Sequence, residues 1–380
     1  MLTSKLPNVG LTIFTQMSAL ANQHNAINLS QGFPNFDCDD FLKHQVNHYI
    51  NNGLNQYAPM PGMPQLQEAI GKLVNEHYGC NVNVADEITV TSGATEALFV
   101  ALQTVVHPGD EVIVFDPAYD SYEPAVNMAG GTCVHLPLLP PSYNIDWQQV
   151  KLAINAKTKA IVINSPHNPT GVVIGEQDIT ALKEIVAEHD IHIISDEVYE
   201  HMVFDDKIHH SVLRYPELAA KSFAVSSFGK TFHVTGWKIG YCVAPKALMT
   251  EFRKIHQYVT FCTLSPMQLA IADTINKFPG LVSGLGKFYE HKRDVFAKAL
   301  KDSRFNLLPC EGTYFQSLDY SAISDLDDVA FCHWLTETHK IATIPMSVFY
   351  QNPPDAKVIR VCFAKDEETL KQAGEILCRV

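Results

Sequence analysis

Short apolar, β-branched runs alternate with longer stretches of helical periodicity, and this alternation limits the fold of the chain more than any other feature. Apolar runs without strict polar alternation are typical of strands buried on both faces. Strand–helix–strand order then predicts an α/β fold with a mostly parallel sheet between helices. The predicted strands are Glu87–Thr91, Glu111–Asp116, Lys159–Asn164, Ile191–Asp196, Ser222–Ser227 and Ile239–Ala244. The predicted helices between them are Thr95–Val106, Tyr119–Ala129 and Glu176–His189.

The C-terminal part of the chain has a different pattern. A long helical stretch over Leu281–Lys301 precedes short strands and helices, which predicts a smaller α+β unit. Those later elements are predicted over Phe305–Leu308, Thr313–Leu318, Asp327–His339, Val358–Phe363 and Glu367–Leu377. A length of 380 residues favours two domains. We predict a large domain over residues 35–275 and a small domain over 276–380. Residues 1–34 are expected to form an N-terminal arm that belongs in part to the small domain.

Charge and composition exclude several classes of function. The chain has 41 acidic and 28 basic residues, a formal charge of −13, so it is a poor general binder of nucleic acid or anionic membranes. Its apolar runs are far shorter than a membrane span, and its first residues lack the apolar segment of a secretory signal. Nine cysteines without a C-x-x-C pair argue against a disulfide framework or a zinc ribbon. We expect a cytoplasmic protein with no metal site.

Three segments place polar groups after predicted strands, at the edge where open α/β sheets bind ligands. The small residues of Ser92–Glu96 begin a helix and leave backbone N–H groups free for a phosphate. Asn168 lies in the rigid, proline-containing loop Asn164–Gly171. Asp196 ends an apolar strand, where a carboxylate needs a cation or a donor, and Tyr199 follows it closely. Taken singly, each feature also has a structural explanation: tight packing, a plain turn or a helix N-cap.

A fourth segment, Ser226–Gly240, contains two lysines. An apolar strand leads into a glycine-flanked loop that carries Lys230, and Lys238 follows. We predict a lowered pKa for the Lys230 amine, because burial and a second cation both disfavour its charged form. A neutral amine is the form that Schiff-base chemistry requires. A lone lysine would more often be a surface residue.

The order of these segments, followed by a late arginine, resembles the class I, fold-type I aminotransferases that depend on pyridoxal 5′-phosphate. The resemblance extends over essentially the whole chain. The segments SQGFPNFD, NQYAPMPG, SFGKTFHVTGWKIG and VIRVCFAKDE are similar to the branch of methionine, kynurenine and glutamine aminotransferases. The resemblance implies a seven-stranded, mostly parallel sheet in the large domain and a homodimer that shares its active sites.

The resemblance also implies roles for individual residues. Lys230 corresponds to the lysine that forms a Schiff base with the cofactor and later moves the substrate Cα proton. Asp196 corresponds to the partner of the pyridine nitrogen, and Tyr199 and Asn168 correspond to partners of the 3′-oxygen. The other implied cofactor contacts, a stacked ring and the phosphate ligands, are Tyr119, Gly93, Ala94, Thr95, Ser227 and Lys238.

Substrate contacts follow from the same resemblance. Arg360 corresponds to the arginine that binds the α-carboxylate as a bidentate fork, and Gly32 to a backbone contact with that group. Tyr57 corresponds to a tyrosine that reaches the phosphate of the neighbouring subunit. Many relatives have arginine at the position of Lys238, where lysine supplies only a point charge. We interpret the lysine as a mark of this branch, with weaker phosphate retention as the alternative.

The side-chain pocket is expected to be aromatic. No second arginine can be assigned to a distal carboxylate, and the pocket candidates are Phe14, Tyr57, Tyr314, Phe349 and His256. Aromatic rings accept a thioether sulfur well, so methionine is the first choice of amino donor, ahead of aromatic or glutamine-type amino acids. The amino group would pass to a 2-oxo acid by a ping-pong mechanism.

Two alternatives use the same site. Kynurenine transamination and β-elimination from cysteine S-conjugates need the same residues, so the sequence does not separate them from methionine transamination. A third reading, a ligand-sensing module of a transcription regulator, is disfavoured by the acidic charge.

Overall fold

The computed structural model describes residues 2–7 and 9–380, along which strands and helices alternate. In chain order, the strands are β1 (Ile27–Asn28), β2 (Ile88–Thr91), β3 (Glu111–Asp116), β4 (Thr132–Pro137), β5 (Thr158–Asn164), β6 (His192–Asp196), β7 (Ser222–Ser227), β8 (Gly240–Val243), β9 (Asn306–Leu307), β10 (Phe315–Asp319), β11 (Ile341–Ala342), β12 (Ile344–Pro345) and β13 (Val358–Cys362).

The helices surround these strands. In chain order, they are α1 (Ile13–His24), α2 (Asp40–Asn51), α3 (Pro64–Tyr78), α4 (Val84–Glu87), α5 (Gly93–Val105), α6 (Tyr122–Met128), α7 (Trp147–Ala153), α8 (Glu176–Glu188), α9 (Pro216–Ala219), α10 (Phe228–Thr231), α11 (Lys246–Val259), α12 (Ser265–Lys277), α13 (Gly280–Ser283), α14 (Leu285–Ala299), α15 (Asp328–His339) and α16 (Glu367–Leu377). Single 3₁₀ turns lie at Val212–Arg214, Thr235–Trp237 and Ser347–Phe349.

The large sheet has seven strands within the described residues, in the order β2-β8-β7-β6-β5-β3-β4. Strand β8 is antiparallel to both of its neighbours, and the other pairs are parallel. This mostly parallel sheet confirms the predicted fold class. The central strands are buried on both faces: along β6, Ile193 and Ile194 belong to apolar clusters on opposite sides of the sheet. That double burial explains the continuous apolar runs in the sequence.

Strand β4 is the member of this sheet that the sequence analysis missed. It forms an edge, where its side chains are only partly buried, so no continuous apolar run marks it. The helix predicted over Tyr119–Ala129 begins instead at Tyr122, which leaves Tyr119 in the loop after β3. The long helix predicted over Leu281–Lys301 is interrupted at Gly284, which separates α13 from α14.

The C-terminal part forms a second, four-stranded antiparallel sheet in the order β12-β13-β10-β9. Helix α15 packs against β12 and β13, and α14 packs against α16. Strand β1 pairs in parallel with β11, which ties the N-terminal segment to this part of the chain. The domain boundaries at residues 34 and 275 stay predictions.

The cysteines and helices of the described residues add three observations. All nine cysteines, which lie within those residues, are free thiols. No helix in the described ranges has the length and apolar character needed to cross a membrane. The same ranges contain no group of three histidine, cysteine or acidic side chains arranged to hold a metal ion.

Candidate active site

A cavity of about 290 Å³ lies at the carboxyl edge of the large sheet, beside the last residues of β5, β6 and β7. It brings together most of the residues named from the sequence: Phe14, Gly32, Gly93, Ala94, Thr95, Tyr119, Asn168, Asp196, Tyr199, Ser227, Lys230, Lys238 and Arg360. Parallel strands end at one edge of a sheet, which is why segments distant in sequence meet here.

The turn between β2 and α5 forms one end of the cavity. Gly93 begins the helix with a positive φ of 75°, and the first N–H groups of a helix have no acceptor within it. A Cβ atom on Gly93 would lie 3.3 Å from Nζ of Lys238, so the lysine amine lies beside this turn. The free N–H groups, the helix dipole and the amine together favour an anion.

Asp196 ends β6 inside the protein. Its carboxyl group accepts a hydrogen bond of 2.5 Å from the hydroxyl of Tyr122 and one of 3.3 Å from the backbone N–H of Val198. Burial raises the pKa of Asp196 to about 6, although the bond from Tyr122 opposes that shift. A buried carboxyl group of this kind is stabilised in its ionised form by a cationic partner.

Lys230 lies on the short helix α10, directly after β7. Its amine donates to the hydroxyl of Tyr314 at 2.7 Å and to the carbonyl oxygen of Gly32 at 3.3 Å. Burial lowers the pKa of Lys230 to about 8, and the charges of Lys238 and Arg360 add to that shift. The predicted direction of the pKa shift is confirmed, and a neutral amine is accessible near neutral pH.

Arg360 reaches the cavity from β13 of the second sheet and is 1% exposed. Its Nη1 donates to Oδ1 of Asn168 at 3.0 Å and its Nη2 to the carbonyl oxygen of Ser30 at 2.9 Å. The Nε atom is buried and has no hydrogen-bond partner among the described residues. The guanidinium lies 4.0 Å from the ring centre of Phe315, a favourable cation–π contact. These two bonds use two of the five N–H donors of the guanidinium, so three donors have no acceptor among the described residues.

Phe14 and Phe349 surround the same guanidinium. Their ring centres are 5.9 Å apart and lie 5.3 and 5.5 Å from the guanidinium carbon of Arg360. Phe14 lines the cavity itself, whereas Phe349 lines a neighbouring cavity that shares Tyr119 with it. The wall beside Arg360 is accordingly aromatic.

Three other pocket candidates lie elsewhere. Tyr314 is buried and contacts Lys230 through the hydrogen bond described above. Tyr57 is 85% exposed and packs edge-on against Phe261, away from the cavity of its own chain. The prediction that His256 lines the substrate pocket is wrong: its ring is fully buried between Glu96 and Met60, behind the cavity.

Comparison with known proteins identifies the family. Residues 24–377 match the family model described as aminotransferase class I and II. The chain is an aminotransferase of this family. Methionine aminotransferase of Escherichia coli K12 is 52% identical over 374 residues, which cover 98% of this chain and 97% of the relative. Kynurenine–oxoglutarate transaminase of Dictyostelium discoideum is 32% identical over 98% of this chain and 94% of its own.

A solved structure agrees with these relatives. The crystal structure of YbdL from Escherichia coli, for which a methionine aminotransferase function was identified, is 51% identical, and each chain covers 100% of the other at a TM-score of 0.98. The fold of this aminotransferase therefore matches that of a solved relative along the whole chain.

Several residues of the aminotransferase site were missed in the sequence. Tyr122, Asn164, Gln31 and Phe315 all lie at the cavity or bond to its residues. Asn164 ends β5 at the same edge as Asp196, and its amide nitrogen donates to the carbonyl oxygen of Asp196 at 2.8 Å, so its position at a strand end could have indicated it. The stacking of Phe315 on Arg360 has no local signal, because β10 and β13 meet only through the fold.

Proposed function

We propose that this aminotransferase uses pyridoxal 5′-phosphate and takes methionine as its preferred amino donor. One observation carries the proposal: a buried lysine amine, a buried carboxyl group and the free start of a long helix meet in one cavity. The 52% identity to a methionine aminotransferase supports the choice of donor.

The residues present fit this cofactor. A Cβ atom on Gly240 would lie 2.9 Å from the backbone nitrogen of Ala94, so only glycine lets β8 approach the start of α5 closely enough to form the cradle. The phosphate would be held there, with Ser227 and Lys238. Asp196 would face the pyridine nitrogen, and Lys230 the aldehyde carbon. The bound cofactor supplies an electron sink for negative charge at the substrate Cα.

The chain's own groups divide the remaining work. The guanidinium of Arg360 binds the substrate α-carboxylate through N–H donors that its bonds to Asn168 and Ser30 leave free. The amine of Lys230 takes the Cα proton in its neutral form, and Tyr314 holds that amine in place. The ionised carboxylate of Asp196 would keep a proton on the pyridine nitrogen.

The choice of methionine rests on the composition of the cavity. Arg360 is the one arginine that lines it in the described part of the chain, so a distal carboxylate would have no guanidinium partner. Phe14 and Phe349 instead offer aromatic surface close to the α-carboxylate site. Thioether sulfur packs favourably against aromatic rings, which favours methionine over aspartate or glutamate.

The proposal includes a homodimer in which Tyr57 completes the phosphate site of the partner. Tyr57 is 85% exposed, and nearby Tyr258 and Leu264 are 89% and 57% exposed, so this surface is apolar. Mixing inactive Lys230→Ala and Tyr57→Phe subunits tests the arrangement. Hybrid dimers would restore up to roughly a quarter of the wild-type sites, because one site of each hybrid is intact. No recovery on mixing would argue for a Tyr57 that acts only within its own chain.

The proposal also includes a reducing compartment such as the cytoplasm. All nine cysteines are free thiols, and Cys242 and Cys332 are fully buried. Buried free thiols persist where disulfides do not form.

The decisive experiment is an absorbance titration of the purified protein loaded with pyridoxal 5′-phosphate. Methionine is expected to remove the visible band of the bound cofactor and to produce the near-ultraviolet band of pyridoxamine phosphate. A Lys230→Ala protein should not turn over. A band that ignores methionine but responds to phenylalanine, glutamine or kynurenine would overturn the donor alone. Failure to bind the cofactor at all would overturn the whole proposal.

A separate assay distinguishes transamination from β-elimination. Kynurenine remains a second candidate donor, because a kynurenine transaminase is 32% identical along nearly the whole chain. A cysteine S-conjugate would release pyruvate and ammonia without an oxo-acid acceptor if elimination were the main reaction. Transamination instead requires the acceptor, so omitting it should stop turnover after one half-reaction.

A further inference from the structure

A buried histidine–glutamate pair lies directly behind the turn at the start of α5. Nδ1 of His256 is 2.7 Å from Oε1 of Glu96, and the two side chains are 0% and 8% exposed. The other oxygen of Glu96 accepts the backbone N–H of Ser92 at 2.7 Å. Glu96 therefore holds the residue that precedes Gly93, where the helix begins.

The second nitrogen of the His256 ring has a partner as well. Nε2 lies 3.1 Å from the carbonyl oxygen of Met60, which can only accept, so this nitrogen carries a hydrogen. One further proton is shared between Nδ1 and the Glu96 carboxyl group. Whichever atom holds that proton, the pair as a whole has no net charge.

Charge neutrality matters at this position. Glu96 lies in the first turn of α5, one residue after Thr95, which lines the cavity. An unpaired carboxylate there would occupy the positive end of the helix and oppose a phosphate bound at the same turn. Because both side chains are buried, water would screen that repulsion only weakly.

The same histidine also connects two parts of the site. Met60 belongs to the loop that carries Tyr57, and Oγ of Ser265 donates to the carbonyl oxygen of Gln56 at 2.7 Å in that loop. His256 on α11 thus joins this loop to the start of α5. Its position relative to both is set by its hydrogen bonds to the carboxyl group of Glu96 and to the carbonyl oxygen of Met60.

We infer that His256 is a positioning residue for phosphate binding. It neutralises Glu96, so that Glu96 can hold the N–H of Ser92 without opposing the phosphate of the cofactor. The inference rests on the proposed function, since it assumes that pyridoxal 5′-phosphate is the molecule bound at this turn.

The test compares the apo forms of wild type, His256→Gln, Glu96→Gln and the double variant. Each is titrated with pyridoxal 5′-phosphate and with pyridoxal, which lacks the phosphate, and the dissociation constants are measured. His256→Gln should weaken the binding of pyridoxal 5′-phosphate at least about tenfold, because it leaves a buried carboxylate unpaired. The binding of pyridoxal should be unchanged. The double variant should regain most of the lost affinity, because the opposing charge is then absent.

His209→Gln is the matched control. His209 pairs with Glu197 at 2.9 Å, and the two side chains are similarly buried at 6% and 4% exposure. Its loss should not change the ratio of the two affinities, since this pair is not part of the turn at α5. Thermal unfolding of each apo protein measures general damage to the fold separately.

Three results would overturn the inference. If His256→Gln weakens the binding of both ligands equally, His256 has a purely structural role. The same conclusion follows if the double variant binds pyridoxal 5′-phosphate no more tightly than His256→Gln does. If His256→Gln does not fold, Glu96→Gln and the double variant are compared instead. The ratio of the dissociation constants for pyridoxal 5′-phosphate and pyridoxal should be the same in these two variants. A wild type that binds neither ligand would contradict the proposed function itself; wild-type binding with unaffected variants would contradict only the inference.

Discussion

The amine nitrogen of Lys230 lies 2.7 Å from the hydroxyl oxygen of Tyr314, which donates its own hydrogen to the carbonyl oxygen of Gly32. The three groups come from helix α10 after β7, the residue before β10 of the second sheet and the segment after β1. The amine is therefore held by elements that only the complete fold brings together. The first two predictions follow from the burial of this amine, which lowers its pKa.

We expect covalent binding of pyridoxal 5′-phosphate by the apo protein to accelerate as pH rises through about 8, the pKa to which burial lowers Lys230. Only the neutral amine attacks an aldehyde, and the neutral fraction grows until pH exceeds that pKa. Stopped-flow absorbance over a pH series measures the rate. A rate that climbs only near the ordinary lysine value of 10.5 would contradict the prediction.

Replacing Lys230 with methionine should stabilise the apo protein. A folded-state pKa of about 8, below the ordinary value of 10.5, means that the lysine opposes folding fully below pH 8 and progressively less up to pH 10.5. Lys230→Met should raise the free energy of unfolding by about 1–3 kcal/mol near neutral pH, and the gain should vanish near the upper value. Urea unfolding measures it, with exposed Lys254→Met as the control. A gain independent of pH would point to packing instead.

Tyr122→Phe should move the acidic limb of the activity profile to higher pH. The hydroxyl of Tyr122 donates to Asp196 and lowers the pKa of that carboxyl group, which burial otherwise raises. Without the bond, the pKa rises further above 6, so Asp196 is protonated at pH values where it is ionised in the wild type. The pH dependence of kcat/KM with methionine measures the shift. Tyr143→Phe is the control, because its buried hydroxyl has no partner among the described residues and its loss should leave the profile unchanged.

Gly240→Ala should disrupt the start of α5. An added Cβ atom would lie 2.6 Å from the carbonyl oxygen of Ser226 and 2.9 Å from the nitrogen of Ala94, so backbone must move. We expect a loss of about 1–3 kcal/mol in stability and weaker binding of pyridoxal 5′-phosphate. Gly236→Ala is the matched control, since no atom of the described part of the chain lies within 4 Å of the position of its Cβ atom. Equal behaviour of the two variants in thermal unfolding and cofactor titration would show that the turn tolerates the change.

Much of the fold was predictable because the large sheet is buried on both faces. The strands predicted at Glu111–Asp116 and Ser222–Ser227 have the same bounds in the structure. Edge strand β4 was missed for the opposite reason, since its partly exposed side chains leave no apolar run. Helix ends were predicted less accurately, as at Tyr122, because a helix start depends on local capping and on the loop before it.

The site residues also fall into two groups, those that the sequence predicts and those that only the fold brings to the site. The sequence by itself determined which residues end the parallel strands, and the strand ends of a parallel sheet share one edge, so Asn168, Asp196 and Lys230 could be expected to meet. The lowered pKa of Lys230 also followed, because an apolar strand leads directly to it. Only the tertiary structure decided what surrounds these groups: the hydroxyl of Tyr122 on Asp196, the ring of Phe315 on Arg360 and the place of His256 behind Glu96. Such contacts join elements far apart along the chain, and no local pattern specifies the distance between them.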